Sequence, residues 1–180
     1  MKIVVYGSTD TRPFIYTLLK MLQPLGDIAL FTDNLHYRRL IENGSESGSF
    51  ENNFIVSSSE SILDIMEEYK LDDDEFEYYI YDNKIPEEYD LFLYICGCKP
   101  MDYEEETLEY LDDNYTRVNF GFGDRNIPYT VEMFKRCEQI ESNRLLMEVD
   151  PKISKKLAEI MHSFINMSPY DLRKVVSKRR

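Results

Sequence analysis

The residues Gly7-Ser8-Thr9-Asp10-Thr11-Arg12-Pro13-Phe14 follow a short β-branched run and lead into apolar residues at helical spacing. A helix amino terminus placed after a strand in this way can hold a phosphate on its free N–H groups. To hold a triphosphate, such a loop needs glycines for close backbone approach, a Lys for the β/γ oxygens and a Ser or Thr for magnesium. Only the first glycine is present; Pro13 and Phe14 stand where the Lys and the hydroxyl belong, and Asp10 adds negative charge where phosphates would lie. Asp33 and Asp82 each close a strand-like run, where a carboxylate either holds magnesium or caps the strand. Cys96-Gly97-Cys98 lacks the two close pairs of a zinc site, Cys137 is remote, and His36 and His162 stand apart, so no metal and no cofactor are expected. No Gly-x-Ser-x-Gly elbow supports a Ser-His-Asp triad.

These residues need a scaffold, and the apolar pattern predicts one. Lys2–Tyr6 reads as a buried parallel strand, Arg12–Gln23 as a helix stopped by Pro24 and Gly26, and Asp27–Phe31 as a second strand. Together they form a β-α-β unit with the right-handed crossover that parallel strands require. The rhythm continues with a polar loop over 43–53, a strand at Phe54–Val56, and a helix opened by Ser57 and Glu60. Strand-like runs follow at Phe76–Tyr81, Asp90–Ile95 and Thr116–Phe120. Helices are expected after Asp102 (capped with Glu105) and over Thr130–Ser142. Asp150-Pro151 and Ser168-Pro169 each place a capping residue before a proline at the first helical position. Tyr78, Tyr79, Tyr81, Tyr89 and Tyr94 read as core aromatics rather than a base-stacking platform. The expected fold is α/β, a three-layer sandwich with a mostly parallel, Rossmann-like sheet, formed by a single domain over 1–167 with a basic helix and tail over 168–180. In such sheets ligands bind beyond the carboxyl ends of the strands, which puts Gly7, Ser8, Thr9, Asp10, Thr11, Arg12, Asp33 and Asp82 along one rim.

Composition narrows the function classes. The 180 residues carry 34 acidic and 21 basic side chains, a formal net charge of −13. Between Glu60 and Asp113 there are 20 Asp/Glu against 3 Lys/Arg, whereas Pro151–Arg180 holds 8 Lys/Arg against 2 Asp/Glu. So acidic a middle repels phosphate backbones, so no nucleic-acid partner is expected. The basic residues Arg173, Lys174, Lys178, Arg179 and Arg180 instead suggest a protein partner or a homodimer. Three cysteines make an odd number, which argues against a disulfide framework; with no apolar run of membrane-spanning length and no leader pattern, the expected location is the cytoplasm.

The order of elements resembles the MinD/ParA family of deviant P-loop ATPases, including pilus- and secretion-associated members related to CpaE and TadZ. Lys2–Gly7, the following helix, Gly26 and Asp27–Asp33 follow the family plan of strand, nucleotide loop, helix, glycine and acid-ended strand. Glu77-Tyr78-Tyr79-Ile80-Tyr81-Asp82 resembles the strand whose Asp serves magnesium. Asp90–Ile95 with Pro100, Arg117-Val118-Asn119-Phe120 and Ile127-Pro128-Tyr129 match later segments. The resemblance covers about 1–167. It departs at the loop: both family lysines are missing, the early one and the one replaced by Pro13. The resemblance thus implies a pseudo-ATPase with a P-loop-like fold, a non-catalytic adaptor or scaffold in a pilus, secretion, conjugation or positioning assembly that is membrane-associated without a membrane segment of its own. Two other readings stand beside it: a small-ligand or nucleotide-binding enzyme using Asp33 and Asp82, and a receiver-like regulatory domain. A receiver needs an Asp closing its third strand, where Val56 is followed by serines.

Overall fold

The strand-forming runs are β1 (Lys2–Tyr6), β2 (Ile28–Thr32), β3 (Ser47–Phe50), β4 (Asn53–Ser57), β5 (Tyr78–Asp82), β6 (Leu91–Cys96) and β7 (Thr116–Asn119). The computed structural model describes residues 1–97, 100–111, 114–121 and 127–177, and in it these runs form one sheet in the order β3-β4-β2-β5-β1-β6-β7. Every pairing is parallel except β3 with β4. β1 lies inside the sheet between β5 and β6, with Val5 level with Asp82 of β5 and Leu93 of β6. The molecule is a three-layer α/β sandwich, because parallel strands need helical crossovers and both faces of such a sheet must be covered.

Alternation sorts the side chains between the two faces. Ile3, Val5, Leu30, Ile80 and Leu93 point to one face, which is covered by α1 (Arg12–Leu22), α4 (Val131–Asn143), α5 (Pro151–Met161) and α6 (Pro169–Ser177). Val4, Tyr6, Phe31, Tyr79, Tyr81, Phe92 and Tyr94 point to the other, covered by α2 (Ile62–Tyr69) and α3 (Asp102–Tyr110). Tyr6, Tyr79, Tyr81 and Tyr94 thus lie in the core, with Tyr79 and Tyr81 stacked at 6.5 Å between ring centroids, whereas Tyr78 and Tyr89 are only half-buried at its margins. All eleven residues of α1 are buried, since α4, α5 and α6 pack around its outer side. Its sequence, apolar almost all round, is what such a fully enclosed helix requires. Its Thr17 hydroxyl stays satisfied by donating to the Pro13 carbonyl at 2.7 Å.

Local chemistry sets the helix starts, in two places differently from expectation. Asp150 Oδ1 accepts the Lys152 N–H at 2.7 Å, and Ser168 Oγ accepts that of Asp171 at 3.2 Å, as the Pro-flanked caps predict. For α2, however, the cap is Ser61, whose hydroxyl accepts the Asp64 N–H, while the Ser57 hydroxyl donates to the Asn34 carbonyl. For α3 the cap position is Met101, and Glu104 rather than Glu105 reaches back to its N–H at 2.7 Å. The segment expected to be only a polar loop over 43–53 contains β3, an edge strand of mostly small polar residues (Ser47, Gly48, Ser49) that pairs antiparallel with β4. Such an edge carries no apolar run to announce it, and its polarity protects the sheet from adding strands. Among the described residues, no helix is long and apolar enough to cross a membrane.

Candidate functional site

The rim at the carboxyl ends of β1, β2 and β5 brings the loop Gly7–Thr11 together with Asp33, Asn34 and Asn83 around a shallow cavity of about 620 Å³. Gly7 has to be glycine because a Cβ there would collide with the Ile95 carbonyl of neighbouring β6. The loop is tied onto the sheet, and the donors at its start are held internally. The Gly7 N–H donates to Asn83 Oδ1 at 2.9 Å. The Ser8 N–H donates to Glu104 Oε1 at 2.7 Å, and the Ser8 hydroxyl donates to Glu104 Oε2 at 3.1 Å. With the Met101 N–H, Glu104 therefore accepts three hydrogen bonds while almost wholly buried. A carboxylate of the chain's own thus occupies the Ser8 amide, one that an anion at this loop could use.

Asp82 lies behind the loop, buried at the end of β5. Its two oxygens accept the hydroxyls of Thr11 at 2.7 Å and Thr32 at 2.9 Å. Burial pushes its carboxyl up to about 6; the two threonine hydrogen bonds oppose this and the nearby Asp33 adds to it. The fully buried Tyr37 hydroxyl lies close enough to hold the carboxyl down a little, although no hydrogen bond closes between them. Asp33 itself is exposed and lines the cavity, whereas Asp82 does not. The two candidate carboxylates thus occupy different environments, one wet and one sealed.

Arg12 turns inward instead of facing the cavity. Its Nε and Nη2 donate to the two oxygens of Asp10 at 2.9 and 2.8 Å, a bidentate pair. Its Nη1 donates to Glu141 Oε1 of α4 at 2.9 Å, and its guanidinium lies 5.5 Å from the centre of the Phe134 ring. Burial opposes the charge, but Asp10 and Glu141 keep Arg12 firmly protonated. Glu141 also accepts the Tyr16 hydroxyl at 3.0 Å and Arg39 Nη1 at 3.0 Å. His36 Nδ1 is 3.0 Å from Arg12 Nη1 and 3.3 Å from Glu141 Oε2, so unprotonated it accepts from the arginine and protonated it donates to the carboxylate.

His36, Glu138 and Glu141 bring three potential metal-ligand atoms within 4.8 Å of one another. The same carboxylates already accept Arg12 and Arg39, and a divalent cation would have to displace two guanidinium groups. The cluster therefore works as an ion-pair staple joining the loop, the 3-10 turn Leu35–Arg39 and α4. Among the thiols, Cys137 is buried and pushed up to about 12 by desolvation, which leaves it unreactive, while the buried Cys96 Sγ accepts Arg117 Nη2 at 3.0 Å. Cys98 lies outside the described residues.

Of the residues singled out in sequence, Gly7 to Arg12, Asp33 and Asp82 do converge on one rim. Arg173 and Lys174 are exposed on α6, away from it, and Lys178, Arg179 and Arg180 lie outside the described residues. The sequence places Asn83 on the rim without a role and sets His36 apart from any site, and it leaves Glu104, Arg39 and Glu141 unmarked. Glu104 alone left a trace, as one of three consecutive acids at a helix start, but nothing local distinguishes it from Glu105. No protein-family model matches this sequence, and no curated protein sequence matches it.

Proposed function

We propose that this chain is a non-catalytic, P-loop-ATPase-like adaptor that acts through protein contacts, in an assembly of the pilus, secretion, conjugation or positioning kind, on the cytoplasmic side of a membrane. The observation that carries the non-catalytic part is the closed loop: Glu104 and Asn83 hold the amides of Ser8 and Gly7, and Asp10 holds Arg12, the loop's one cation. A triphosphate would have to displace a buried carboxylate from its three donors, and Pro13 offers no N–H in return. The chain's charge asymmetry supports the adaptor part, since opposite charges on separate surfaces favour protein partners over nucleic acid. Isothermal titration with ATP and magnesium is expected to give no binding heat, and a steady-state assay no turnover. Magnesium-dependent hydrolysis that disappears in Asp82→Ala would overturn this reading.

A second reading has one observation in its favour. An Asp82 carboxyl raised to about 6 beside a rim cavity is suited to proton transfer, as a small-ligand enzyme using Asp33 and Asp82 would need. Against it, Thr11 and Thr32 cap both Asp82 oxygens and separate them from the cavity. Under that reading a small molecule would bind at the rim and its affinity would change as Asp82 titrates.

A further inference from the structure

The tyrosine-rich face of the sheet is incompletely covered. Between α2 and the turns at 71–73 and 84–88 runs an open groove of about 760 Å³. Its floor is apolar, formed by Ile62, Met66, Leu71 and Tyr81, with Leu63 (68% exposed) and Ile85 (41% exposed) at its lips. Its rim is mainly acidic, with Asp72, Asp73, Glu87 and Glu88 all exposed; Lys84 also lines it, half-buried, its Nζ donating to the Glu60 carbonyl. Lys2, the one basic side chain that pairs with these acids among the described residues, reaches only Asp73, at 3.0 Å.

The opposite layer carries a matching shape and charge. On α6, Leu172 and Val176 turn inward and are buried against α1 and α5. The outward stripe at helical spacing is Tyr170, Arg173, Lys174 and Ser177, and Tyr170 is 73% exposed. It combines a solvent-exposed aromatic ring and two cations on a helix that packs on α5, which itself exposes Lys152 and Lys155. Aromatic and arginine side chains on rigid elements are the groups that most often anchor protein interfaces. An apolar floor ringed by carboxylates is the surface that accepts them.

We propose that the groove between α2 and the 84–88 turn receives the outward face of α6 from a second copy of this chain, with Tyr170 on the apolar floor and Arg173 and Lys174 against the acidic rim. Because α6 and the groove lie on opposite faces of one sheet, a copy cannot close the contact on itself. The association is therefore head-to-tail, and it extends beyond two copies into a chain or a ring. The proposal rests on the adaptor reading above in that it names one of the contacts, but it does not depend on the state of the nucleotide loop.

Sedimentation velocity of the full chain at rising concentration tests it. In low salt the weight-average mass is expected to climb past that of a dimer, and in high salt to fall towards the 21.4 kDa monomer. Tyr170→Ala is expected to weaken association about tenfold or more, the usual loss for a buried aromatic anchor. A tail-reversed chain (Arg173→Glu with Lys174→Glu) and a groove-reversed chain (Glu87→Lys with Glu88→Lys) should each be monomeric alone. All four positions are exposed, so circular dichroism should report an unchanged fold. Mixed in equal amounts, the two reversed chains should associate again, since each now offers the charge the other lacks. A monomer at every concentration in low salt, association that survives both reversals, or a mixture that stays monomeric would each overturn the contact. Any of these would leave the closed-loop reading standing, because that reading falls only if nucleotide binds and turns over.

Discussion

The two faces of the sheet are built from the same strands yet solve different problems. Towards α1, α4, α5 and α6 the strands present mostly aliphatic side chains, and four helices enclose them so fully that α1 shows no exposed residue. Towards α2 and α3 they present Tyr6, Tyr79, Tyr81 and Tyr94, and two short helices leave a groove open. Tyrosine suits the thinner cover because its ring can be buried while its hydroxyl finds a partner. Tyr79 donates to the Asp72 carbonyl at 2.6 Å, and the Tyr6 hydroxyl shares a hydrogen bond with that of Thr107 at 3.1 Å. Charge follows the same division: the acid-rich segment 60–113 supplies α2 and α3, and the basic segment 151–177 supplies α5 and α6. One face is sealed by four helices, and the other keeps an open groove.

That contrast can be broken most severely by removing part of the covered face. Truncation after Val149 deletes α5 and α6, and with them Ile153, Leu157, Met161, Leu172 and Val176, all buried against the core. Burying each such side chain is worth about 1.5–3 kcal/mol, so the shortened chain is expected to lose cooperative thermal unfolding altogether. A soluble product with an unchanged melting temperature would refute the contrast.

A smaller break strikes the charge staple on the same face. Glu141→Ala leaves Arg12 buried with one carboxylate fewer and Tyr16 without its acceptor, at a cost of about 3–5 kcal/mol in urea unfolding. The contrast is sharpened by a matched pair of leucines. Leu157→Ala, on the covered face, should cost about 2–5 kcal/mol, and Leu63→Ala, at the groove lip, less than about 0.5 kcal/mol. Equal losses would mean that the groove is closed in solution.

A further contrast concerns two carboxylates raised for different reasons. Asp82 is raised to about 6 from an ordinary 3.8, chiefly by burial. The folded chain therefore holds a proton there that the unfolded chain has released, and this stabilisation is full below about pH 4 and is lost as pH rises to about 6. Asp82→Asn should remove that dependence, so the variant gains about 2–3 kcal/mol relative to wild type between pH 4 and 7, measured by urea unfolding. On the acidic face Glu60 is raised chiefly by its like-charged neighbour Glu68, and it is fully exposed. Added salt should abolish its shift and leave that of Asp82 almost unchanged, as carboxylate NMR titrations would show.

Much of this architecture is legible in the chain because its causes are local. Ile3–Tyr6 and Leu91–Cys96 are apolar without interruption, as strands buried on both faces must be, and Asp150-Pro151 marks a helix start within two residues. Once parallel strands are inferred, the general placement of ligands at their carboxyl ends puts Gly7 to Arg12, Asp33 and Asp82 on one rim without further information. What happens at that rim was decided elsewhere. Glu104 meets Ser8 across 96 residues of sequence, and Glu141 meets Arg12 across 129. Neither glutamate differs in kind from its acidic neighbours; only the packing of α3 and α4 selects which carboxylate points inward. The same holds for Asp82, whose residue type predicts an ionised strand-end acid and whose burial behind two threonines raises its pKa. Hydrogen-bond and charge partners are chosen by distance in space, and distance in space exists only after the sheet has formed and the helices have docked. The sequence alone determined the buried parallel strands, the run of helices and the rim, whereas tertiary structure decided that the polar segment before β4 pairs as an edge strand and that the loop on the rim is closed by a carboxylate of its own chain.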